Sequence, residues 1–314
     1  MDIDWKKLQN GSDIRGIAIE SGDEKVNITP EISSMIGSAF VKWLSMKKKT
    51  GAEKLKISVG ADSRITGPVL KKGIISGIVN SGSTALDCGL ASTPAMFMST
   101  VIEEFSCDGA VMITASHLPY NRNGFKFFTP DGGLENDDIK KILGIASAEN
   151  PVFDENISSR AIDLMERYSD IFIEKIKKGI NSKTDFAKPL KDLKIAVDAG
   201  NGAGGFFAEK VLKTLGADIS GSRFLEPDGR FPNHEPNPEN GEAMEAIREA
   251  VLNSGSDLGI IFDTDVDRAA VVDGSGFIIN RNTLIALAAS IVLEEHPGTA
   301  VVTDSVTSDG LTSF

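Results

Sequence analysis

The chain has 314 residues, 41% of them hydrophobic, with a formal net charge of −12 and an isoelectric point near 4.8. That length can bury a sizeable core in more than one domain. The acidic balance argues against nucleic-acid or anionic-membrane partners, because no basic run exceeds Lys47-Lys48-Lys49. Cys88 and Cys107 are the only cysteines; each stands among apolar residues in no metal-ligand spacing, and both read as buried reduced thiols. Residues Met1 to Lys7 hold no apolar stretch of signal-peptide length, and the longest later run, Leu284 to Leu293, is too short to span a bilayer. A soluble protein is expected, cytoplasmic, or organellar if a targeting segment has been removed, and its oligomeric state stays open.

Strand-like apolar runs alternate with amphipathic stretches of helix length, the pattern of α/β layers with mixed sheets and helices on both faces. Lys56 to Gly60 reads as a strand leading into a helix opened by Pro68. Ala85 to Cys88 follows as a strand, then a helix from about Pro94 to Glu104, then a strand from Ala110 to Thr114. Phe125 to Phe128 is a further strand, stopped by the turn signal Pro130-Asp131-Gly132-Gly133. Ile162, Met165, Tyr168, Phe172 and Ile176 recur at helical spacing on a charged background, which suggests a helix linking two domains. Lys194 to Asp198 opens a second α/β unit, whose glycine-rich turn Gly200 to Gly205 precedes a helix ending near Gly216. The last stretch supplies one helix and a strand from Ala300 to Asp304, too little to close a core. The expected division is 1–150 for a first α/β domain, 151–190 for an interdomain helix and linker, 191–277 for a second α/β domain, and 278–314 for the start of an incomplete third.

Two segments carry chemistry. In Thr114-Ala115-Ser116-His117-Leu118-Pro119 a lone hydroxyl follows the apolar run Gly109 to Ile113. In Asp263-Thr264-Asp265-Val266-Asp267-Arg268 three carboxylates at alternate positions follow Leu258 to Phe262. Carboxylates this close raise one another's pKa and call for a hard cation such as Mg²⁺. A phosphoserine, with about −1.5 to −2 charges at neutral pH, would sit beside them only with that cation between. Lys126 returns along a strand toward the hydroxyl, where its ammonium would balance phosphate charge or carry a proton. Plainer readings remain at this point: Ser116 as a capping loop serine, and the aspartates as an acidic turn. An EF-hand is excluded, because its sixth position needs glycine and holds Arg268, and its twelfth needs glutamate and holds Gly274. Gly200 to Gly205 lacks the spacing of a dinucleotide fingerprint and reads as a tight strand-to-helix turn. The proline-rich run Glu226 to Pro238 is either irregular packing or a wall of a cleft.

Ser12-Asp13-Ile14-Arg15-Gly16, Val59-Gly60-Ala61-Asp62-Ser63-Arg64, Gly89-Leu90-Ala91-Ser92-Thr93-Pro94, the Ser116 loop, Val197-Asp198-Ala199-Gly200-Asn201-Gly202, the proline-rich loop and the aspartate loop occur in one order across the chain. In these motifs the sequence resembles the α-D-phosphohexomutase superfamily of phosphoglucomutases, phosphomannomutases and phosphoglucosamine mutases. The resemblance implies a phosphoserine at Ser116, and Mg²⁺ held by Asp263, Asp265, Asp267 and a phosphoserine oxygen. It also implies proton transfer assisted by Arg15 and Lys126, Arg268 and His117 beside the phosphoryl group, and Asn123 and Arg64 at the substrate. The implied reaction interconverts hexose 1-phosphate and hexose 6-phosphate through a hexose bisphosphate, which is both intermediate and activator. Two departures stand out. Leu118 replaces the asparagine common after the histidine, with Arg122 where an aromatic is common, and the sugar-reading and phosphate-anchoring loops of the family's later domains are not found. The chain is therefore expected to be weak or inactive alone. Two other readings are a non-catalytic shortened homologue with a binding or regulatory role, and a haloacid-dehalogenase-like phosphatase with Asp263 as nucleophile.

Overall fold

A computed structural model describes residues 3–150, 152–179, 186–303, 307–308 and 310. The strands of the first sheet are β1 (Gln9–Asn10), β2 (Asp13–Ile17), β3 (Lys56–Ala61), β4 (Thr84–Leu90), β5 (Gly109–Ile113), β6 (Arg122–Thr129), β7 (Gly132–Gly133) and β8 (Arg160–Ala161). They are ordered β1-β2-β6-β5-β3-β4-β8, with β7 paired to β6. Pairings among β5, β3, β4 and β8 are parallel, and those of β6 with β5 and β2 are antiparallel, so the sheet is mixed. All five residues of β5 are buried because it is a central strand covered on both faces, which explains its unbroken apolar run.

Residues alternate between two cores. Val111, Ile113, Phe125 and Phe127 face α1 (Pro30–Lys48), α2 (Gly67–Asn80) and α4 (Asn136–Ala146), whereas Ala110 and Met112 face α3 (Thr93–Val101) and α5 (Leu164–Gly179). Helix α1 begins where Thr29 caps the backbone NH of Ile32 with Pro30 in the first turn, and it stops at Lys49 in the left-handed conformation. Its crossing with α2 is unusually close: a Cβ on Gly77 would lie 2.0 Å from the Ser34 carbonyl oxygen.

The second sheet contains β9 (Ile195–Asp198), β10 (Leu258–Phe262), β11 (Ala269–Asp273) and β12 (Ile278–Ile279), ordered β12-β11-β10-β9. One face packs on α6 (Gly241–Ser254) and the other on the segment Phe207–Leu212. The helix expected after the glycine-rich turn is wound as a π-helix over Phe207–Leu212. Strands β9 and β10 are parallel, with Asp198 opposite Ile261, so their C-terminal loops emerge side by side. This is the end of a parallel pair where side chains of different loops converge.

The described residues of the stretch 151–190 include a strand and a helix. Strand β8 lies within it and pairs with β4, and Leu164 and Tyr168 of α5 enter the second core of the first sheet. Aromatic contacts then cross to the second sheet, Tyr168 to Phe206 at 6.0 Å, Phe172 to Phe207 at 5.7 Å and Phe207 to Phe262 at 5.5 Å between ring centroids. The helical spacing in this stretch reflects burial of α5 against both units.

Helix α7 (Arg281–Glu295) has no buried residue, and Leu287, Ile291 and Val292 are exposed. Residues 300–303, expected to form a strand to Asp304, are irregular, and Asp304 lies outside the described residues. A strand needs a neighbour's backbone, and no described strand runs beside this segment. Among the described residues, no helix is long and apolar enough to cross a membrane.

Candidate active site

The loop after β5 places Ser116 in the left-handed region, with φ of 52°, a conformation costing a serine roughly 1 kcal/mol or more. Thr114 supports it, its Oγ1 accepting from the Ser116 NH at 2.8 Å. Ser116 is 4% exposed, and its Oγ donates to Oδ2 of Asp263 at 3.0 Å, across the seam between the two sheets. The serine hydroxyl and the acidic loop expected from sequence to face each other therefore do so.

The acidic loop is a tight turn rather than an extended strand end. Val266 has φ of 64°, its NH bonds the Asp263 carbonyl, and the Asp263 NH bonds the Arg268 carbonyl. This turn, more than simple alternation, gathers Asp263, Asp265 and Asp267 so that one oxygen from each lies within 4.8 Å of the others. The neighbouring glycine-rich turn holds the loop from behind: the Ala203 NH donates to the Thr264 carbonyl at 2.8 Å, and a Cβ on Gly202 would meet that oxygen at 2.6 Å.

Positive charge comes from two side chains. Lys126 Nζ bonds Asp265 Oδ2 at 2.9 Å and Asp267 Oδ2 at 2.6 Å. Arg268 donates to Asp263 Oδ2 from Nε at 3.1 Å and Nη2 at 3.0 Å, and its Nη2 also reaches Ser116 Oγ at 3.0 Å and His117 Nδ1 at 2.7 Å. Lys126 was expected beside the hydroxyl; its ammonium instead lies on the aspartates, because two carboxylates attract it more strongly than one neutral oxygen. Burial, then Asp265 and Asp267, push the Asp263 carboxyl up to about 8. Burial works on Asp265 in the same direction, but Lys126 and the Thr93 hydroxyl hold it below the ordinary carboxylate range. Lys126 is held above the usual lysine range by Asp265 and Asp267 despite its burial, so it is a charged donor. Burial, Arg268 and Arg15 lower His117, leaving a neutral ring whose Nδ1 accepts from Arg268.

Asp265 Oδ2 is also bonded by Thr93 Oγ1 at 2.5 Å, and the Thr93 NH donates to the Asp265 carbonyl at 2.8 Å. Asp265 Oδ1, by contrast, is buried without a hydrogen-bond partner. An orphaned carboxylate oxygen inside a three-aspartate cluster is the donor set a hard divalent cation takes, so the residues fit such an ion.

Arg15 lies at the edge, bonded to Asp13 at 2.9 Å and to the Ala115 carbonyl at 3.3 Å. Two expected substrate contacts are spent elsewhere. Asn123 is fully buried, bonding Thr66 Oγ1 and the Gly124 NH, and Arg64 is 1% exposed with its guanidinium directed at loop carbonyls. Both side chains are committed to protein groups. Thr93 was missed as a site residue, although its place before Pro94 at a helix start was visible. The proline-rich loop joins the site through Asn237, whose Oδ1 accepts from Arg268 Nη1 at 3.2 Å. His234 in the same loop is anchored on Asp198 at 3.0 and 3.1 Å.

Residues 6–152 match the family model of phosphoglucomutase/phosphomannomutase α/β/α domain I, and residues 170–276 match that of domain II. A phosphoglucomutase of Neisseria gonorrhoeae is 35% identical over 296 residues, covering 93% of this chain and 58% of the relative. A phosphoglucomutase/phosphomannomutase of Thermococcus kodakarensis is 34% identical over 307 residues, covering 96% and 63%. The crystal structure of a phosphoglucomutase/phosphomannomutase family protein from Burkholderia thailandensis superposes with a TM-score of 0.75 at 27% identity, covering 94% of this chain and 60% of that one. The chain belongs to the α-D-phosphohexomutase superfamily. It spans somewhat over half the length of these relatives.

Proposed function

We propose that the chain carries the phosphoserine and metal half of a phosphohexomutase site, acting on hexose 1-phosphate and hexose 6-phosphate through a hexose bisphosphate. The observation that supports this best is the 3.0 Å contact of Ser116 Oγ with Asp263, beside the unpartnered Asp265 Oδ1. Asp263, Asp265, Asp267 and a phosphoserine oxygen are the groups that would hold Mg²⁺. When bound, the ion neutralises charge between the phosphoryl group and the carboxylates and polarises the phosphoryl group.

In the loading half-reaction Ser116 Oγ attacks a phosphorus of the bisphosphate; the Oγ–P bond forms, the sugar O–P bond breaks, and the serine proton ends on the departing sugar oxygen. Arg268, already 3.0 Å from Oγ, supports negative charge on the transferring group. Neutral His117, at 3.4 Å, can relay the serine proton through Nδ1 once Arg268 turns to the phosphoryl oxygens. Lys126 is a cationic donor for the sugar oxygen, and Arg15 holds the loop backbone at Ala115. The return transfer reverses these roles.

Both oxygens of Asp263 already accept hydrogen bonds, from Ser116, Asp267 and Arg268, which disfavours it as a phosphatase nucleophile. The test is to incubate the chain with Mg²⁺ and labelled glucose 1,6-bisphosphate and map the label. Acid-stable phosphate on Ser116, absent from Ser116→Ala, is expected; an acyl phosphate on Asp263 would overturn the reading.

A further inference from the structure

The serine loop has turn bonds of its own, Leu118 NH to the Ala115 carbonyl at 3.1 Å and Arg122 NH to the Pro119 carbonyl at 3.0 Å, and one buried cation ties four of its carbonyls together. Arg64 Nη1 donates to the carbonyls of Pro119 at 2.7 Å and Arg122 at 3.0 Å, while Nη2 donates to those of Leu118 at 2.6 Å and Ser116. Its Nε lies 3.3 Å from Asp62 Oδ2, and neither side chain of that pair is exposed. A guanidinium presents donors in a rigid planar fork, so carbonyls bound to it are fixed relative to one another. One of them belongs to Ser116, the residue held in the unfavourable left-handed conformation.

The face of this guanidinium is covered from the other unit. The ring of Phe231, in the proline-rich loop, lies over it with 5.3 Å between ring centroid and guanidinium carbon. Phe231 is itself at φ of 51°, and its NH bonds the Asp228 carbonyl at 3.0 Å. Beside it Gly229 presses on the Arg64 backbone: a Cβ there would come within 2.4 Å of both the Ile65 nitrogen and the Ser63 carbonyl oxygen.

We infer that Arg64 is the positioning residue of the serine loop and that Phe231 is its latch, so that docking of the proline-rich loop sets Ser116 ready for phosphoryl transfer. The ordering of the loop follows from this geometry alone; its effect on transfer rests on the phosphoserine reading above. Lifting Phe231 admits water to the guanidinium, water then competes for its donors, and the left-handed turn at Ser116 relaxes. Arg64 touches no reacting atom, and Phe231 none either; they act through the loop backbone.

The test compares the wild-type chain with Phe231→Ala, Phe231→Leu and the conservative Phe231→Tyr. Hydrogen exchange of a peptide spanning 114–122 is read alongside the rate at which labelled glucose 1,6-bisphosphate with Mg²⁺ labels Ser116. A desolvated cation–π contact predicts exchange about tenfold faster in that peptide for the alanine variant, with β10 and α6 unaffected and tyrosine restoring protection. Labelling should slow by a similar factor with the half-saturating bisphosphate concentration unchanged. Wild-type protection of 114–122 in both the alanine and leucine variants would overturn the inference, as would loss of protection spread evenly over the chain. If the wild type takes up no label on Ser116, the phosphoserine reading fails, and the exchange measurement alone decides the latch.

Discussion

Replacing Thr93 by valine removes one hydroxyl at nearly constant volume from the point where the first unit grips the acidic loop. That hydroxyl donates to Asp265 Oδ2 at 2.5 Å, and Asp265 is fully buried, so water cannot substitute for it. Lys126 still holds the same oxygen at 2.9 Å, and the Thr93 NH still bonds the Asp265 carbonyl at 2.8 Å. The loop should therefore stay docked while the carboxylate gains freedom to rotate. Losing one hydrogen bond to a buried charged acceptor costs about 1.5–3 kcal/mol. Where the carboxylate is a metal ligand, loss of such a partner weakens binding by roughly ten- to a hundredfold. The assay is titration of Mn²⁺ as a paramagnetic substitute for Mg²⁺ on the wild type, Thr93→Val and Thr93→Ser, followed by the loss of free Mn²⁺ signal. Serine, which keeps the hydroxyl, should bind nearly as the wild type does. Equal Mn²⁺ affinity in the valine variant would refute the claim that this bond orients Asp265 for a cation.

His234 gives a pH-dependent outcome. Burial alone would lower its pKa, but the hydrogen bond and charge of Asp198 more than reverse this, raising it above the ordinary 6.5. The stability it contributes is thus complete below about pH 6.5 and is lost as pH rises through the folded value; urea midpoints should fall over that range and lose this component in His234→Gln. His234→Leu, which leaves Asp198 buried without its cation, should cost about 3 kcal/mol in the same measurement. Gly77→Ala should destabilise by about 3 kcal/mol, since the new methyl would meet the Ser34 backbone oxygen at 2.0 Å and neither helix can yield locally; calorimetry reads it as a lower Tm. Arg268→Gln should slow Ser116 labelling by about a hundredfold while leaving the fold intact, because the charge over Oγ is lost and an amide cannot fork to Asp263 and His117 together; labelling kinetics with circular dichroism as the folding control decide this.

Much of the fold was legible because burial writes itself into composition. Strand β5 is covered on both faces and reads as an unbroken apolar run, and Asp263, Asp265 and Asp267 follow a strand of the same kind. Sequence pairs them with Ser116 only through a cation set between a phosphoserine and the carboxylates; the structure brings the serine hydroxyl itself to 3.0 Å from Asp263. What stayed hidden depends on direction rather than identity. A sequence shows that Arg64 is cationic but not that its side chain turns inward to backbone carbonyls, so it passed for a substrate ligand. Lys126 was placed on the right strand, yet only the turn at Val266 reveals which oxygens it meets. The stretch 151–190 looked like a connector because its helix is charged on one side; its apolar side is shared between two cores, a division that periodicity cannot express.

The contact between Ser116 and Asp263 joins side chains mounted on separate sheets, each with its own interior. A relative slip of about 1 Å would stretch their 3.0 Å bond past hydrogen-bonding range while leaving every strand pairing intact. The phosphoryl transfer proposed above would thus be an alignment property. Such a slip would leave helices and strands as they are, so spectroscopy of secondary structure would not register the loss.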